Sequence, residues 1–322
     1  MTSSIKRIWI TSTLLTLACT SALAQAIPPI RFIVPFPPGG AADQTARIVA
    51  QEASTILGTP IVVENKAGAG GMIAGDFVVR SKPDGKTFFV GANAPLVLNM
   101  GLYAKMPYDP EKDLIPVAAL GKSPLLLVTR KDLGVVSIKE LVALAKKNPG
   151  KLTMGSAGSG NITHVGGEFV NSKMGIEVKH IPFAGSAPAI LSMMGGHVDI
   201  MFDALPSSMQ HAKAGKIQAI AIVDTQRFAQ LPDVPTLVES GYPVPEASAW
   251  IVLMAPAQTP AAVVEEMNRA VNTALKKPDV IEKLQGIGEQ PMPGTAQDLG
   301  KFIASERSRW IPLIKTLGLK AD

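Results

Sequence analysis

The sequence predicts an α/β protein shaped as a two-lobed clamshell, and three features of the chain carry this prediction. Apolar runs of strand length alternate with helical patterns from Ile30 to about Val223, as in β-α-β units on parallel sheets. Two long apolar segments, Leu125–Val128 and Ala249–Met254, resemble crossings between two such series. Glycine-rich loops follow several strands, at the position where open α/β sheets bind ligands.

The two crossings divide the chain into two lobes, each expected to be a mostly parallel sheet flanked by helices. We expect the first lobe to comprise residues 27–124 and 252–322, and the second to comprise residues 125–251. The two connecting segments would form a hinge, and a ligand would lie in the cleft between the lobes.

The strand predictions rest on short apolar runs rich in β-branched and aromatic residues and bounded by turn-forming residues. In chain order they are Arg31–Pro35, Ile61–Glu64, Thr87–Gly91, Leu125–Thr129, Leu152–Gly155, Val178–Ile181, Val198–Phe202, Gln218–Val223 and Trp250–Ala255.

The helix predictions rest on apolar residues at helical spacing. In the α/β part they are Ala42–Leu57, Gly71–Ser81, Ile138–Asn148, Ile162–Met174, Ala187–Met194 and Ser207–Ala214. The charged amphipathic segments Pro260–Lys277, Pro278–Leu284 and Ala296–Leu317 are predicted to form a helical cap that packs on the first lobe.

The first 24 residues have the pattern of a secretory signal peptide. Lys6 and Arg7 precede the apolar run Ile8–Cys19, and the small-residue motif ending at Ala24 predicts cleavage before Gln25. The run is too short for a membrane span. A lipid anchor on Cys19 is the alternative, although Thr16 stands where such anchors carry an aliphatic residue. We therefore expect a soluble exported protein, without cysteine once the leader is removed.

Charge and composition favour a small anionic ligand over a polymeric one. The leader carries two basic residues and no acidic one, so its removal lowers the net charge from +5 to +3. This excess is too small for a nucleic-acid surface, and we expect no nucleic-acid partner. Aromatic residues make up only 5% of the chain, which disfavours a stacking surface for sugars or bases.

The first candidate loop, Pro35–Asp43, joins a strand to a helix start. Its glycines, Gly39 and Gly40, let the backbone approach a ligand closely, and the helix N-terminus offers free N–H groups and a partial positive charge. Phe36 is expected to form an apolar wall. We include Asp43 either as a helix-start carboxylate paired with Arg47, or as the residue that orders the loop. The candidate binding residues in this loop are Phe36, Pro38, Gly39, Gly40, Ala42 and Asp43.

The second candidate loop, Gly155–His164, is richer in hydrogen-bond donors than helix capping requires. Its candidate residues are Ser156, Ser159, Asn161, Thr163 and His164. The alternative to ligand binding is that one of these residues caps the helix and that His164 packs against its neighbours.

Three further loops supply candidates by the same strand–turn–helix logic. Pro182–Pro188 contains Phe183, Gly185 and Ser186, with Ser186 expected as the helix N-cap. Asp203 stands at the carboxyl end of a strand. Asn93 and Ala94 are candidates at the rim of the first lobe, with a plain turn as the alternative.

Sequence motifs for catalysis are absent. Gly155–Gly160 lacks the lysine of a phosphate-binding loop, and Gly68–Gly71 lacks the spacing of a dinucleotide fingerprint. There is no Gly-x-Ser-x-Gly motif, and the four histidines have no metal-site spacing. We therefore predict a binding protein without catalytic residues, cofactor or metal.

These motifs, in their order along the chain, resemble one family. The similarity is carried by Val34–Gly40 with Asp43 and Arg47, Val63–Lys66, Gly68–Gly71, Pro83–Gly85, Tyr108–Pro110, the Gly155–His164 loop, Pro182–Gly185 and Ala255–Pro256. The chain is thereby similar to the Bug-type periplasmic receptors, which are the solute-binding proteins of tripartite tricarboxylate transporters.

The resemblance implies a periplasmic-binding-protein clamshell that binds a small carboxylate and does not catalyse a reaction. It implies that one carboxylate is held by Phe36–Asp43 through backbone groups and water, and that the far end is read by the second-lobe loops. The implied partners are membrane transporter subunits, and we expect a monomer. Dicarboxylates, tricarboxylates and aromatic acids such as terephthalate remain open. The alternative functions are a ligand sensor for a membrane kinase and a secreted enzyme acting on an organic acid.

Overall fold

The computed structural model describes residues 28–321, so the predicted signal peptide lies outside the described residues. The chain forms two sheets that share one strand. The first sheet has the order β2 (Ile61–Asn65), β1 (Ile30–Val34), β3 (Thr87–Ala92), β9 (Ser248–Pro256) and β4 (Leu114–Arg130), with β10 (Gln290–Pro291) on the far side of β4.

The second sheet is built around the other half of β4. On one side β4 pairs with β8 (Ile217–Val223), and on the other side lie β7 (Ile200–Ala204), β5 (Thr153–Ser156) and β6 (Lys179–Pro182) in that order. We call the part of the molecule around the first sheet the first lobe and the part around the second sheet the second lobe.

Each sheet has a parallel section, as the alternating pattern predicts. β1 pairs in parallel with β2 and β3, and β5 pairs in parallel with β6 and β7. The strands that connect the lobes add antiparallel ladders, because β4 runs against β9, β7 and β8. The two-lobed α/β fold is confirmed.

The helices lie where the apolar spacing predicts, with shifted ends. They are α1 (Ala41–Leu57), α2 (Met72–Val79), α3 (Asn99–Leu102), α4 (Ile138–Lys147), α5 (Ile162–Met174), α6 (Ser186–Met194), α7 (Leu205–Lys213), α8 (Ala261–Ala274), α9 (Pro278–Ile287) and α10 (Ala296–Thr316). The short α3, preceded by a π-helical turn over Ala94–Leu98, was not predicted. α8 packs on α1 and β4, and α10 packs on β4 and α3, as expected for a cap on the first lobe.

Strand β4 is much longer than the predicted Leu125–Thr129. Its first half contains Pro116, Gly121 and Pro124, which weaken a strand prediction. The structure accommodates Pro116 and Gly121 at shifts in the register with β9, which are bulges in the ladder. The strand pairs with β9 as far as Pro124 and with β7 and β8 from Leu125 onwards.

The second predicted lobe boundary, between residues 251 and 252, falls inside β9. Residues 248–251 already pair with β4 in the first sheet, because the apolar run that marks the crossing belongs to a central strand of that sheet. Among the described residues, no helix is both long enough and apolar enough to span a bilayer.

Candidate functional site

A cavity lies between the two lobes, with about 590 Å³ of empty space when the adjoining open solvent is included. Four of the predicted loops meet there, together with the inner face of β9. The predicted candidates that line it are Phe36, Pro38, Gly40, Ala42, Asn93, Ala94, Asn161, Thr163, Gly185 and Ser186.

The first-lobe wall is the N-terminus of α1. Gly40 is the N-cap residue, and no side chain caps the helix. The first-turn N–H groups of Ala41 and Ala42 therefore face the cavity without a competing side-chain acceptor. The positive end of a 17-residue helix adds a favourable field for an anion.

Asp43 holds this loop from behind and does not line the cavity. It is buried, and its carboxylate accepts hydrogen bonds from the Gly39 amide at 3.0 Å, Arg47 Nε at 2.9 Å and Asn65 Nδ2 at 3.0 Å. Burial would raise the pKa of Asp43, but these bonds from Arg47, Gly39 and Asn65 lower it below its usual value. Both interpretations of Asp43 hold: it pairs with Arg47, and it orders the loop. Gly39, with φ of 86°, also lies outside the lining.

The second-lobe wall is formed first by the N-terminus of α5. Asn161 is the N-cap residue, and its Oδ1 accepts from the Thr163 amide at 3.1 Å. Among the described residues its Nδ2 has no hydrogen-bond partner within reach. Thr163 Oγ1 accepts from the Ala157 amide at 2.8 Å, which leaves the hydroxyl hydrogen available. Both side chains line the cavity, so each can donate to an anion.

The N-terminus of α6 completes this wall. The N-cap residue is Gly185, and Ser186 is the first helical residue. The prediction that Ser186 caps the helix is wrong, because its hydroxyl instead donates to Asp203 Oδ1 at 2.5 Å. The side chain of Asp203 is fully buried, and Oδ2 has no partner among the described residues. Burial raises the pKa of Asp203 to about 7.

His164 and Ser156 lie behind the second loop and outside the cavity lining. His164 Nδ1 accepts from the Gly160 amide at 3.1 Å, and its ring stacks on His180 at 3.7 Å. Ser156 Oγ lies 2.7 Å from His180 Nε2. Burial lowers the pKa of His164 to about 3, with a contribution from His180, and burial lowers the pKa of His180 to about 4. Both rings are therefore neutral near pH 7 and shape the loop.

The other second-lobe candidates outside the lining are Ser159, Phe183 and Asp203. Ser159 is exposed, and together with Phe183 it borders a wider open part of the cleft. The expectation that both line the cavity is therefore not met: they lie in two different loops, and Phe183 also packs against the apolar core of the second lobe.

Asn93 is placed by strand β9. Its Oδ1 accepts from the Trp250 amide at 3.2 Å, and its Nδ2 donates to the Ser248 carbonyl at 3.1 Å. The side chain therefore fixes the π-helical turn after β3 to the connecting strand, while still lining the cavity.

Comparison with known proteins agrees with this geometry. The profile of the tripartite tricarboxylate transporter family receptor matches residues 45–319. Protein BugT from Bordetella pertussis is 36% identical over 293 residues, which cover 91% of this chain and 90% of BugT. The chain belongs to the tripartite tricarboxylate transporter receptor family. It is a Bug-type receptor, and the members of this family are periplasmic solute-binding proteins.

Two solved structures are similar over nearly their whole length. Rpa4515 from R. palustris, solved with adipate, has a TM-score of 0.88 at 32% identity and covers 91% of this chain and 98% of that one. MatC from Rhodopseudomonas palustris, with bound malate, has a TM-score of 0.84 at 32% identity. The match covers 89% of this chain and 98% of MatC.

Sequence reasoning identified Phe36 as an apolar wall of the receptor's cavity but missed the rest of its large apolar lining. Ala249 and Ile251 of β9, Ile162 of α5 and Ala92 of β3 form walls there. The crossing segment Ala249–Met254 was singled out as a hinge, and its alternating side chains could have indicated a cavity face.

The lining of the receptor's cavity is neutral. Among the described residues, no lysine, arginine, histidine, aspartate or glutamate lines it. Over residues 28–321 there is also no cluster of three potential metal ligands. The polar groups that face the cavity are backbone amides at three helix N-termini and the side chains of Asn93, Asn161, Thr163 and Ser186. This arrangement can neutralise carboxylates through hydrogen bonds and helix dipoles.

Proposed function

We propose that this receptor binds a small dicarboxylate between its lobes and delivers it to membrane subunits of a tripartite tricarboxylate-type transporter. The observation that carries this proposal is the convergence of three helix N-termini, from α1, α5 and α6, on one neutral cavity. Each terminus attracts an anion, and two of them lie opposite the third.

The two walls assign a role to each end of the ligand. One carboxylate is bound by the amides of Ala41 and Ala42 at the start of α1. The other is bound by Asn161 Nδ2, the Thr163 hydroxyl and the first turn of α6. Phe36 and Ile251 cover the chain between the two carboxylates.

The solved relatives support a di-acid. Rpa4515 was solved with adipate and MatC with malate, and both are linear acids with two carboxylates. The apolar walls also fit a flat aromatic di-acid such as terephthalate. The N-termini of α5 and α6 form one wall and are assigned to one carboxylate, so the third carboxylate of a tricarboxylate would need a further donor cluster. We therefore propose a di-acid before a tricarboxylate.

We propose a hinge between the lobes at Pro124–Leu125 of β4 and just before Ser248 of β9. β4 changes sheets at the first position, and β9 begins within the first sheet at the second. A monomer is sufficient for this function, because both walls of the cavity come from one chain.

A thermal-shift screen over carboxylic acids tests the proposal. A ligand that binds only the folded state raises the melting temperature. We expect shifts with adipate, malate or terephthalate and smaller ones with the matched mono-acids hexanoate and benzoate. Equal shifts with di-acid and mono-acid would contradict binding at both ends, and no shift with any acid would contradict the proposed function.

Two further measurements separate the alternative functions. Recovery of the bound acid unchanged after prolonged incubation excludes an enzyme that acts on it. Genes for two transporter membrane subunits beside this gene favour uptake, whereas a neighbouring histidine kinase gene favours sensing. Size-exclusion chromatography with light scattering checks the monomer.

A further inference from the structure

Asp203 and Ser186 form a buried pair directly behind the second-lobe wall. Asp203 is fully buried, and Ser186 is 8% exposed and lines the cavity. Their oxygens Oδ1 and Oγ lie 2.5 Å apart. The pair therefore connects a buried acid to the space where the proposed ligand carboxylate lies.

The surroundings of Asp203 offer no compensating cation. On β4, Leu126 lies opposite Asp203, and the nearest charged residues of that strand, Lys122 and Arg130, are four residues away on either side. α6 carries no titratable residue. On α7 the titratable residues are His211 and Lys213 in the last turn, whereas Asp203 adjoins the first turn.

The remaining elements of the second sheet carry their titratable groups elsewhere. β5 and β8 have none, and β6 carries Lys179 and His180. α5 packs against the other face of β7, beside Phe202, and carries His164, Glu168 and Lys173. Among the described residues, the Asp203 carboxyl forms a hydrogen bond with the Ser186 hydroxyl, whereas the nearby Ser208 hydroxyl donates to the Ala204 carbonyl. A charged carboxylate is therefore poorly compensated, since Oδ2 has no partner.

The protonation state of Asp203 decides what Ser186 presents to the cavity. A charged Asp203 can only accept, so the Ser186 hydrogen points at it and the Ser186 lone pairs face the cavity. A neutral Asp203 donates its own proton to Ser186 Oγ, and the Ser186 hydrogen then turns toward the cavity. Only the second arrangement gives a ligand carboxylate a donor at this position.

We propose that Asp203 sets the direction of the Ser186 hydroxyl through its own protonation, so that a ligand carboxylate binds together with one proton. This inference rests on the proposed function. The proton comes from solvent, stays on Asp203 Oδ1 while the ligand is bound, and returns to solvent on release. The charged form of Asp203 both reverses the Ser186 hydroxyl and repels the ligand carboxylate.

Burial of Asp203 also favours its protonated form. It raises the pKa of Asp203 to about 7 in the ligand-free protein, and an anion near Ser186 raises it further. Proton uptake on binding is then small at pH 5.5 and approaches one proton above pH 8.

Calorimetry in two buffers of different ionisation enthalpy measures this uptake directly, with adipate as the first probe and the best acid of the screen as the second. We expect uptake close to one proton at pH 8.5 and an affinity that falls by up to tenfold per pH unit between pH 7.5 and 9. The carboxyl groups of these probes are ionised throughout this range. Binding without proton uptake at pH 8.5 overturns the inference.

Two variants assign the proton and the donor. Asp203→Asn keeps the shape and donates permanently to Ser186, so its affinity at pH 8.5 should exceed that of the wild type at least tenfold, without proton uptake. Ser186→Ala removes the donor, and its affinity at pH 6 should fall at least fivefold. Wild-type pH dependence in Asp203→Asn, or wild-type affinity in Ser186→Ala, contradicts the inference.

The control is Glu289→Gln, which removes the charge of a second buried carboxyl. Burial raises the pKa of Glu289 to about 8. Glu289 lies beside Ser123 and Gly121 of β4, away from the cavity lining. Proton uptake on binding should be unchanged in this variant, and loss of the uptake there would assign the proton to Glu289.

A measurement without ligand separates this inference from the proposed function. The unfolded pKa of an aspartate is about 4 and the folded pKa of Asp203 is about 7, so this carboxyl stabilises the wild type most at low pH. The melting temperature of the ligand-free wild type minus that of Asp203→Asn should therefore fall as pH rises from about 4 to 7, and level off above pH 7. Identical profiles overturn the inference whatever binds. If the profiles differ as expected but no acid binds, the proposed function fails alone. If Asp203→Asn does not fold, the wild-type calorimetry still decides.

Discussion

The side-chain amide of Gln44 donates to the Pro206 carbonyl at 3.0 Å, and this bond joins the first lobe to the second. The same nitrogen donates to the Gly39 carbonyl at 2.9 Å. Gln44 therefore holds the α1 loop against the N-terminus of α7 while the lobes are in contact. A second contact across the cleft is made by Gln210 Nε2, which donates to the Gly286 carbonyl at 3.1 Å.

Gln44→Ala should weaken binding by favouring an open arrangement of the lobes. A bond between neutral groups contributes about 1 kcal/mol, so we expect affinity for the best acid of the screen to fall by about three- to tenfold. Small-angle scattering should show a larger radius of gyration for the ligand-free variant than for the wild type, and added ligand should reduce it.

Gln51→Ala is the matched control, because Gln51 is exposed on the same helix and its side chain makes no described hydrogen bond. Its affinity and radius should match those of the wild type. A radius that is the same in all three proteins, with and without acid, would argue for a rigid pocket.

Gly39 and Gly40 are neighbours with separable roles. Gly40 has φ of −79°, an added Cβ would come no closer than 3.9 Å to the Pro37 carbonyl, and the residue lines the cavity. Gly40→Val should therefore lower affinity at least tenfold, while the free energy of unfolding falls by only about 1 kcal/mol. Calorimetry and urea unfolding measure the two quantities.

Gly39→Ala should lower the free energy of unfolding more than it lowers affinity, the opposite of Gly40→Val. The φ of 86° is strained for any residue with a Cβ, but the added carbon meets no atom within 4 Å. We expect the free energy of unfolding to fall by about 1–2 kcal/mol with a smaller loss of affinity. Equal affinity losses in the two variants would show that the loop acts as one unit and not through the cavity face of Gly40.

Asn161→Asp separates helix capping from ligand binding. Aspartate caps a helix as well as asparagine does, so the bond from the Thr163 amide is kept. The variant loses the Nδ2 donor and adds a negative charge beside the proposed carboxylate. Affinity for adipate should fall by about ten- to a hundredfold, with an unchanged melting temperature in the absence of ligand.

The mono-acid hexanoate supplies the reference for this experiment. It has a single carboxylate, which the α1 loop can hold, so the loss should be at least threefold smaller than for adipate. If Asn161→Asp lowers the affinities for adipate and hexanoate equally, Asn161 stabilises the fold and does not bind the distal carboxylate of the ligand.

Local sequence patterns identified the loops that line the cavity, because strand, turn and helix are short-range properties. Gly40 was identified from a strand followed by a Pro/Gly loop and a helical pattern, and Asn161 from a polar residue before an apolar helix. These features depend on residues within about ten positions. The order of elements then followed from the alternation of strands and helices.

The direction of each side chain was not predictable in the same way. His164, on helix α5, points into the lobe, where its ring stacks on that of His180 on strand β6. Ser186 was expected to cap α6, but its hydroxyl bonds instead to Asp203, which lies 17 residues further along the chain. The antiparallel ladder between β4 and β9 joins residues more than 120 positions apart, and no local pattern specifies such pairs.

The stacked histidines behind the second loop make a prediction about acid stability. His164 Nδ1 accepts from the Gly160 amide, so protonation of this nitrogen breaks that bond and places two charges in contact. The folded pKa values, about 3 for His164 and about 4 for His180, lie below the ordinary value of 6.5. A lowered folded pKa contributes stability that is present above pH 6.5 and is lost as pH falls toward 4 and then 3.

We expect the pair to contribute about 2–4 kcal/mol to the wild-type loss of unfolding free energy between pH 7 and 4, after allowing for the partial exposure of His180. His164→Asn replaces Nδ1 with an oxygen that can accept from the Gly160 amide and does not titrate. Its unfolding free energy in urea should therefore fall less over this range. The exposed His197, replaced by Gln, is the control and should follow the wild-type curve. Parallel curves for His164→Asn and the wild type would show that acid instability comes from other groups.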